Sequence, residues 1–351
     1  MQPQIEYATA PDGKRIATLT FGAGAPLLIA ATPPWSHVHQ EMTIPPVRAW
    51  LQAIAEQAQV VRYDCRGTGL SDRHEPDFSL DAQVRDLETV ANHYGLRSFA
   101  IWGAIGGSPA AIAYTARHPE RVSHLILWGA YTRGVEFLGG DIDALHPLMI
   151  KNWHLYTDTY SQAAFGWADS DTGARYAALM RAAITQEAMV EAMRQMTAVD
   201  VESEARAITT PTLVLVGRDA KYLGVDHARQ MAALIPDARL QIFDGLSHAP
   251  FLGDTAPLIA TLQQFIATEP APRGKRPLAA PLTQRETQVL RLLASGSSAR
   301  EIGAELRISI ATAQRHIANL YTKIGARGRV DAVAYAFEAG LAHTRHPRST
   351  T

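Results

Sequence analysis

A proline-bearing segment near the C-terminal end divides this 351-residue chain into two unequal parts. Residues 269–277 read EPAPRGKRP. Proline has no amide hydrogen and restricts the backbone, so this stretch is compatible with neither a helix interior nor a central strand. We therefore expect a larger domain at 1–268, a linker at 269–279 and a smaller domain at 280–345.

The two parts carry opposite net charge. From residue 270 onward 13 Lys and Arg stand against 5 Asp and Glu, a net charge of +8, whereas the rest of the chain has 20 against 29, or −9. A small basic domain suits a polyanionic partner, and an acidic one does not. The smaller domain is therefore the candidate for binding a polyanion.

Composition excludes several other classes of protein. A single cysteine, Cys65, can build neither an intrachain disulfide framework nor a cysteine-rich zinc site, which is typical of a reducing cytoplasm. The first residues lack a basic segment followed by an apolar run, and no apolar stretch of about 18 residues occurs. We expect a cytoplasmic protein without a membrane partner, a bound metal or a cofactor.

The larger domain alternates short β-rich runs with amphipathic helical stretches, which is typical of a mostly parallel sheet with helices on both faces. From about 131 to 205 the strand pattern stops, and we interpret this segment as a helical cap over the sheet. The predicted strands are 5–8, 15–21, 27–31, 60–63, 99–102, 125–128, 212–216 and 240–243, and the predicted helices are 46–57, 79–94, 108–117, 225–235 and 256–267.

The smaller domain has the pattern of a helical bundle. Thr283 with Glu286 three residues later predicts a capping box at the start of its first helix. A short second helix ends near Leu306, and a third begins at Ile310. On that third helix Arg315 lies among small uncharged residues, an arrangement that suits close approach to a DNA major groove. The apolar stripe on its opposite side consists of Ala313, Ile317, Leu320 and Ile324.

Residues 282 to 341 resemble the LuxR-type helix-turn-helix domain along their whole length. The matching positions are Leu282, Thr283, Arg285, Glu286, Gly296, Glu301, Ile302, Leu306, Ile308, Ser309, Thr312, His316, Asn319, Lys323, Gly325, Gly340 and Leu341.

This resemblance implies a double-stranded DNA operator as partner, with the third helix as the recognition helix. It also implies a fourth helix at 329–339 that mediates dimerisation, and hence a homodimer. The chain departs from the family at Ala313 and Gln314, where Val-Lys is common, and this departure concerns base preference. The predicted DNA-contacting residues are Arg300, Thr312, Gln314, Arg315, Asn319 and Lys323.

Two segments of the larger domain resemble landmarks of the α/β-hydrolase fold, over roughly residues 5–267. One is YDCRGTGLS at residues 63–71, and the other is GAIGG at residues 103–107. In that family the second segment is the nucleophile elbow, G-x-S-x-G. Here Ile105 occupies the nucleophile position, and a hydrocarbon side chain cannot attack a carbonyl group.

The other catalytic positions of the family are altered too. The acid position after a late strand is Ala220, and Asp219 lies one residue early. The oxyanion loop contains Pro33 and Pro34, which have no N–H to donate. Only His248 keeps its family position, where we expect a structural or ligand-contacting role. We therefore predict no catalytic residues, with Ile105, Ala220 and His248 as vestigial positions.

Two other side chains are candidates for a substitute nucleophile. Ser108 lies about one helical turn after Ile105, where a hydroxyl at a helix end is the simpler interpretation. Cys65 is interpreted as an ordinary loop or buried thiol. Neither residue is predicted to act in catalysis.

The resemblance implies an apolar pocket between the cap and the carboxyl ends of the strands. Such a pocket can hold a small, partly apolar molecule without consuming it. The predicted lining residues are Trp35, Ile105, Gly106, Trp128, Tyr131, Trp153 and His248, with Tyr156 and Trp167 as further cap candidates.

The leading hypothesis is a ligand-responsive transcription regulator in which an inactive α/β-hydrolase-like domain senses a small-molecule effector. One alternative is an active esterase or lactonase tethered to a DNA-binding domain. Another is an N-terminal domain that serves only for dimerisation or protein docking. A closed apolar cavity beneath the cap would favour the sensor.

Overall fold

The protein is described here by a computed structural model. The chain divides into two compact units, Met1–Pro270 and Ala271–Thr351, and the division falls inside the segment predicted as the linker. The described residues are 4–138, 145–165, 169–220, 222–246, 248–268, 282–295, 297–324, 332, 336 and 341.

The larger unit is built on one eight-stranded sheet in the order β1-β2-β4-β3-β5-β6-β7-β8. The pairs β1–β2 and β2–β4 are antiparallel, and every other neighbouring pair is parallel. This confirms the predicted α/β class with a mostly parallel sheet. The strands are β1 Glu6–Thr9, β2 Arg15–Phe21, β3 Ala25–Ile29, β4 Ala58–Tyr63, β5 Phe99–Ala104, β6 Val122–Trp128, β7 Thr212–Gly217 and β8 Arg239–Phe243.

Each face of the sheet packs against a buried apolar cluster, because successive residues of its strands are apolar. In β3, Leu27 and Ile29 belong to one buried cluster and Leu28 to the other, since adjacent side chains of a strand point to opposite faces. The first cluster continues into the cap through Met180 and Met193. The cap therefore shares a core with one face of the sheet.

Helices follow the strands in the predicted order. Helix α3 begins after Ser79, whose side chain accepts a hydrogen bond from the amide of Ala82. No helix of the described residues is long and apolar enough to cross a bilayer. Outside the cap the helices are α1 Val38–Glu41, α2 Pro45–Ala55, α3 Leu80–His93, α4 Ser108–Arg117, α11 Val225–Leu234 and α12 Ala256–Ala267, with a 3₁₀ turn at Ile105–Gly107.

The cap lies between β6 and β7 in the chain, as the loss of strand pattern predicted. Hydrogen bonds join the cap to the loop after β4. The amide of Gly69 donates to the carbonyl of Ala183 at 2.9 Å, and the guanidinium of Arg73 donates to the carbonyls of Gly69 and Ala182. The cap helices are α5 Gly134–Leu138, α6 His146–Lys151, α7 Trp153–Phe165, α8 Ser170–Ala183, α9 Gln186–Thr197 and α10 Glu202–Ala207.

The smaller unit contains α13 Gln284–Ala294, α14 Ala299–Glu305 and α15 Ile310–Ile324 among its described residues. The predicted capping box of Thr283 and Glu286 is confirmed, and Ser298 with Glu301 forms a second one that no sequence prediction named. Of the predicted stripe on the third helix, Ala313 and Leu320 are buried and Ile317 is partly buried, whereas the side chain of Ile324 lies outside the described residues. The predicted fourth helix at 329–339 also lies outside them, apart from the buried Ala332 and Ala336.

Candidate functional site

The backbone of the elbow has the sharp strand-to-helix geometry that the glycine pattern predicted. Ile105 has φ +46°, a left-handed conformation that is a marked outlier for a β-branched residue. A Cβ on Gly103 would lie 2.6 Å from the Ala111 side chain, and one on Gly107 would lie 2.6 Å from the carbonyl oxygen of Ala31. The turn is therefore closely packed on both sides, and the residue at its apex is isoleucine.

The surroundings of the elbow come from three parts of the larger unit. Ile105 is partly buried against the cluster shared with the cap, and a Cβ on Gly129 would lie 3.7 Å from its Cγ1. A Cβ on Gly106 would lie 2.4 Å from the carbonyl oxygen of Pro33 and 3.3 Å from Cε of Met196 in α9. The loop after β3 and the cap thus both close on the elbow.

The loop after β3 offers little to a developing oxyanion. Pro33 and Pro34, joined by a cis peptide bond, have no amide hydrogen. The next amide, that of Trp35, donates to the carbonyl of Thr32 at 2.9 Å. An oxyanion site needs preorganised donors that point at the reacting group, and residues 33–35 supply none.

The two residues at and next to the family's acid position after β7 have different surroundings. Ala220 is partly buried against the second apolar cluster, and Asp219 is exposed with its amide bonded to the carbonyl of Leu246 at 3.2 Å. The ring of His248 lies 5.8 Å from that of Phe165 and 5.7 Å from that of Tyr222. His248 therefore sits among aromatic side chains at the edge of the cap.

Ser108 and Cys65, the two candidates for a substitute nucleophile, are both buried and hydrogen-bonded within the protein. Ser108 is fully buried and donates to the carbonyl of Ile105, which confirms its interpretation as a helix-end hydroxyl. Cys65 is fully buried, with its Sγ 3.4 Å from Ser36 Oγ and 3.3 Å from Thr68 Oγ1. Burial raises the pKa of the Cys65 thiol to about 12, so the reactive thiolate is disfavoured.

Three of the predicted lining residues belong to a continuous set of aromatic rings, which we call the cap aromatic cluster. Measured between ring centroids, Trp35 lies 4.9 Å from Tyr160. Tyr131 stacks on Phe137 at 5.5 Å, and Trp153 stacks on Tyr156 at 5.6 Å. The remaining links are Trp35–Phe137 at 6.2 Å and Tyr156–Tyr160 at 5.8 Å. The cluster consists of Trp35, Tyr131, Phe137, Trp153, Tyr156 and Tyr160.

Trp128 lies in a different aromatic row. Its ring stacks on Trp102 at 6.3 Å and lies 6.4 Å from Phe243. Its Nε1 donates to the carbonyl of His248 at 2.6 Å, so it holds the loop that carries the histidine. Trp167, the remaining cap candidate, lies outside the described residues.

Two surface cavities lie away from the cap aromatic cluster. One, of about 230 Å³, lies between β1 and α3 beside His93, and the other, of about 180 Å³, is lined by Arg133, Glu136 and His227. None of the predicted lining residues borders either cavity. Within the described residues the cluster does contain two buried donors with no hydrogen-bond partner, Nε1 of Trp35 and the hydroxyl of Tyr156. No sequence pattern indicates such donors, because they arise from packing.

A buried carboxylate organises the first hydrolase-like segment. Asp64 accepts hydrogen bonds from the amides of Val38 at 2.7 Å and Leu70 at 2.8 Å, and a Cβ on Gly69 would collide with it. Burial raises the pKa of Asp64 to about 7. The glycine and the aspartate of this motif therefore shape the loop to which the cap is bonded.

The predicted DNA-contacting residues have unequal surroundings. Gln314, Arg315 and Asn319 are exposed on α15, and Arg300 is exposed on α14. Two further candidates make bonds within the domain. Oγ1 of Thr312 lies 2.8 Å from Ser309 Oγ at the start of α15, and Nζ of Lys323 donates to Glu286 Oε2 at 2.7 Å. The latter ion pair joins the end of α15 to the start of α13 and lowers the pKa of Glu286.

Relatives of the larger unit are enzymes by name. A non-heme haloperoxidase from Rhodococcus erythropolis is 26% identical over 279 residues, covering 75% of this chain and 99% of that protein. A 2-hydroxymuconate semialdehyde hydrolase from Pseudomonas putida is 26% identical over 225 residues, covering 61% of this chain and 78% of that protein.

Solved structures show the same fold. An esterase from Exiguobacterium antarcticum superposes with a TM-score of 0.66 at 20% identity, covering 76% of this chain and all 100% of the esterase. A bromoperoxidase from Bacillus anthracis superposes with a TM-score of 0.65 at 16% identity, with the same coverage of 76% and 100%. Both likenesses establish the α/β-hydrolase fold of the larger unit.

Family models match both units of the chain. The family described as serine aminopeptidase, S33, matches residues 50–255, and the luxR family of bacterial regulatory proteins matches residues 280–336. The chain therefore belongs to the serine aminopeptidase S33 family of hydrolase-fold proteins and carries a LuxR-type DNA-binding domain at its C-terminal end.

Proposed function

We propose that this protein is a ligand-responsive transcription regulator in which the hydrolase-fold domain has lost catalysis and binds a small, partly apolar effector. The observation that carries the proposal is Ile105 at the apex of the elbow, with φ +46°. A left-handed backbone costs on the order of 1–3 kcal/mol at a non-glycine residue. The elbow geometry is thus retained although its nucleophile is absent.

Three independent positions support the loss of hydrolysis. Ile105 provides no nucleophile, and Ala220 provides no carboxylate to orient a histidine. In the loop after β3, Pro33 and Pro34 lack amide hydrogens and the amide of Trp35 is already bonded. Acyl transfer needs the nucleophile, the base with its orienting acid, and the oxyanion donors together. We therefore favour a pseudoenzyme over an active esterase or lactonase.

Binding of an effector beneath the cap is supported by where the elbow lies. Ile105 and Gly106 lie between the loop after β3 and Met196 of the cap. In α/β proteins, ligands bind at the carboxyl ends of the strands, and β5 ends at Ala104. In this proposal Ile105, Gly106, Trp35, Tyr131, Trp153 and His248 line the effector site, and Trp128 supports the His248 loop.

Operator binding is assigned to the exposed face of α15. Gln314, Arg315 and Asn319 present donors and acceptors that can read base edges, and we assign the exposed Arg300 to a phosphate contact. We propose that the protein acts as a cytoplasmic homodimer on double-stranded DNA. The effector changes DNA affinity only if it binds the two states of the regulator unequally.

A second candidate role for the larger unit is dimerisation through the cap. Exposed apolar side chains occur on several cap helices: Val135 is 56% exposed, Ile150 63%, Leu155 47% and Val190 37%. Exposed apolar surface is a feature of protein interfaces. Analytical sedimentation of Ile150→Ser beside the wild type separates this role from sensing. If the surface mediates dimerisation, the variant should dimerise more weakly while it still binds ligand.

The proposal is tested with the full-length protein. A thermal-shift screen of small aromatic and acyl compounds identifies a ligand, since binding to the folded state raises its stability. DNA selected in vitro by the same protein then serves for titrations with and without that ligand. We expect the ligand to raise Tm and to change DNA affinity in the wild type, and neither effect in Ile105→Trp.

The matched control is Ala178→Trp, which adds the same ring at an exposed position of α8 in the cap and should respond as the wild type does. Circular dichroism and the Tm without ligand report whether each variant is folded. A full response in Ile105→Trp would place the effector site away from the elbow and contradict the proposal.

A further inference from the structure

Two hydrogen-bond donors in the cap aromatic cluster are buried without a partner. Trp35 is 4% exposed and Tyr156 is fully buried, and neither Nε1 of Trp35 nor the hydroxyl of Tyr156 has an acceptor among the described residues. Both rings contact the same third ring: Tyr160 lies 4.9 Å from Trp35 and 5.8 Å from Tyr156. The two donors thus belong to rings that both contact Tyr160.

Such a pair of donors calls for a physical explanation. The large majority of buried polar side-chain atoms have a hydrogen-bond partner, because an unmet donor loses its bonds to water and gains nothing in return. An indole N–H can only donate, so an acceptor is the one partner that satisfies Trp35. The acceptor has to come from outside the set of side chains that pack here.

We infer that the effector presents a neutral carbonyl-type oxygen to Trp35 Nε1 and the Tyr156 hydroxyl, on a planar body that packs against Tyr160. This inference rests on the proposed function, because it assigns the chemistry of the same effector site. The aromatic walls select a flat apolar body, and the two donors select an acceptor oxygen.

Charge decides between a neutral carbonyl and a carboxylate. The members of the cap aromatic cluster are uncharged. Near them, Arg181 of α8 is already bonded to Asp158 at 2.7 Å and to Thr157 Oγ1 at 2.6 Å on α7. A buried carboxylate without a cation is strongly disfavoured, whereas a ketone, ester, lactone or amide carbonyl is satisfied by neutral donors.

The first test needs no ligand. Tyr156→Phe removes an unsatisfied hydroxyl and should leave Tm unchanged or raise it. Tyr63→Phe is the matched control, because Tyr63 is also buried but its hydroxyl interacts with the backbone of Ala31, so its Tm should fall. An equal fall in both variants would show that the Tyr156 hydroxyl is already satisfied and would overturn the inference.

The second test uses three probes of similar size: acetophenone with a neutral carbonyl, ethylbenzene without an acceptor, and benzoate with a charge. The readout is the indole N–H resonance of Trp35 in protein labelled at its 6 tryptophans, assigned by its loss in Trp35→Phe. We expect a downfield shift with acetophenone alone and affinity about tenfold above that of ethylbenzene and benzoate. Tyr156→Phe should reduce this preference.

The outcomes separate this inference from the proposed function. Equal binding of acetophenone and ethylbenzene with no shift of the Trp35 resonance overturns the carbonyl assignment and leaves an apolar effector site. Tighter binding of benzoate overturns the neutral assignment. Failure of all three probes to bind at millimolar concentration also counts against the inference. A Trp35 shift without any change in DNA affinity upholds the inference and contradicts the proposed sensor.

Discussion

The hydroxyl of Ser108 donates a 2.6 Å hydrogen bond to the carbonyl oxygen of Ile105 and accepts one of 3.3 Å from the amide of Tyr131. Ser108 therefore links the first turn of α4 to the backbone of the elbow at Ile105 and to the backbone after β6 at Tyr131. A hydroxyl held in this way stabilises the elbow and is not presented to a substrate.

The first prediction concerns hydrolysis. The wild-type protein should release p-nitrophenol from p-nitrophenyl acetate no faster than buffer, because Ile105 offers no nucleophile. The double variant Ile105→Ser with Ala220→Asp restores the nucleophile and the acid but not the oxyanion donors, so it should form an acyl-enzyme only slowly, at a level that mass spectrometry detects. Adding His248→Ala to that variant serves as the control. Wild-type turnover that disappears in His248→Ala would instead identify an active enzyme.

The second prediction concerns packing at the elbow. Gly106→Ala should lower the free energy of unfolding by about 1–3 kcal/mol, because its Cβ would lie 2.4 Å from the carbonyl oxygen of Pro33 and force a backbone shift. Gly224→Ala, whose Cβ would lie 3.0 Å from the carbonyl oxygen of Ala220, is the milder control. Urea denaturation measures both. Equal free energies of unfolding for the two variants would contradict the prediction, because they would mean that the backbone at Pro33 shifts away from the new Cβ without cost.

The third prediction concerns pH. Burial raises the pKa of Asp64 to about 7, so the folded protein holds a proton that the unfolded chain releases near pH 4. The raised pKa of Asp64 contributes to the free energy of unfolding. This contribution is fully present below about pH 4 and is lost as the pH rises through about 7. In Asp64→Asn the free energy of unfolding should therefore fall less steeply with pH over this range than in the wild type.

Urea titrations at several pH values test this, with Asp219→Asn as a variant that removes an equal formal charge from the surface. The slope is the relevant quantity, because Asp64→Asn also weakens the bonds to Val38 and Leu70 at every pH. Identical slopes in Asp64→Asn and the wild type would contradict the prediction.

The fourth prediction concerns DNA. Arg315 is exposed on α15, and Arg315→Ala should cost about 1–3 kcal/mol at a selected site if its guanidinium makes a bidentate contact with guanine. Arg291→Ala removes an equally exposed charge from α13 and should cost less. Fluorescence anisotropy on selected and random DNA distinguishes the contacts, because equal losses on both would assign Arg315 to a phosphate.

The fifth prediction concerns Lys323, whose ammonium is bonded to Glu286 with their side chains 19% and 14% exposed. Lys323→Ala should lower the stability of the smaller unit by about 1 kcal/mol, between the values for exposed and buried pairs. A double-mutant cycle with Glu286→Gln measures the coupling. Weaker DNA binding with unchanged stability would instead support the DNA contact predicted from the sequence.

Local patterns predicted most of the architecture. The Thr283–Glu286 capping box needs only four consecutive residues, and the strands and helices of the sheet domain follow from periodicity within short windows. The elbow was recognisable because its glycines are required by close approach, whatever residue stands at the apex. The residue at the nucleophile position of the resemblance, Ile105, could likewise be read from the sequence directly.

The contacts of individual side chains could not be predicted in this way. Trp35, Tyr131 and Trp153 meet in one aromatic cluster, whereas Trp128 joins Trp102 and holds the His248 loop. Lys323 was expected at DNA and is bonded to Glu286, which is 37 residues away in the chain.

The sequence by itself determined the order of elements, the two-domain organisation and the residue types at the positions that are catalytic in the hydrolase family. Those properties depend on local periodicity and on identity at single positions. The tertiary structure alone decided the burial of Asp64 and the two unpartnered donors of Trp35 and Tyr156. Burial and hydrogen-bond satisfaction are set by which distant side chains pack together, and that information is absent from any short window of sequence.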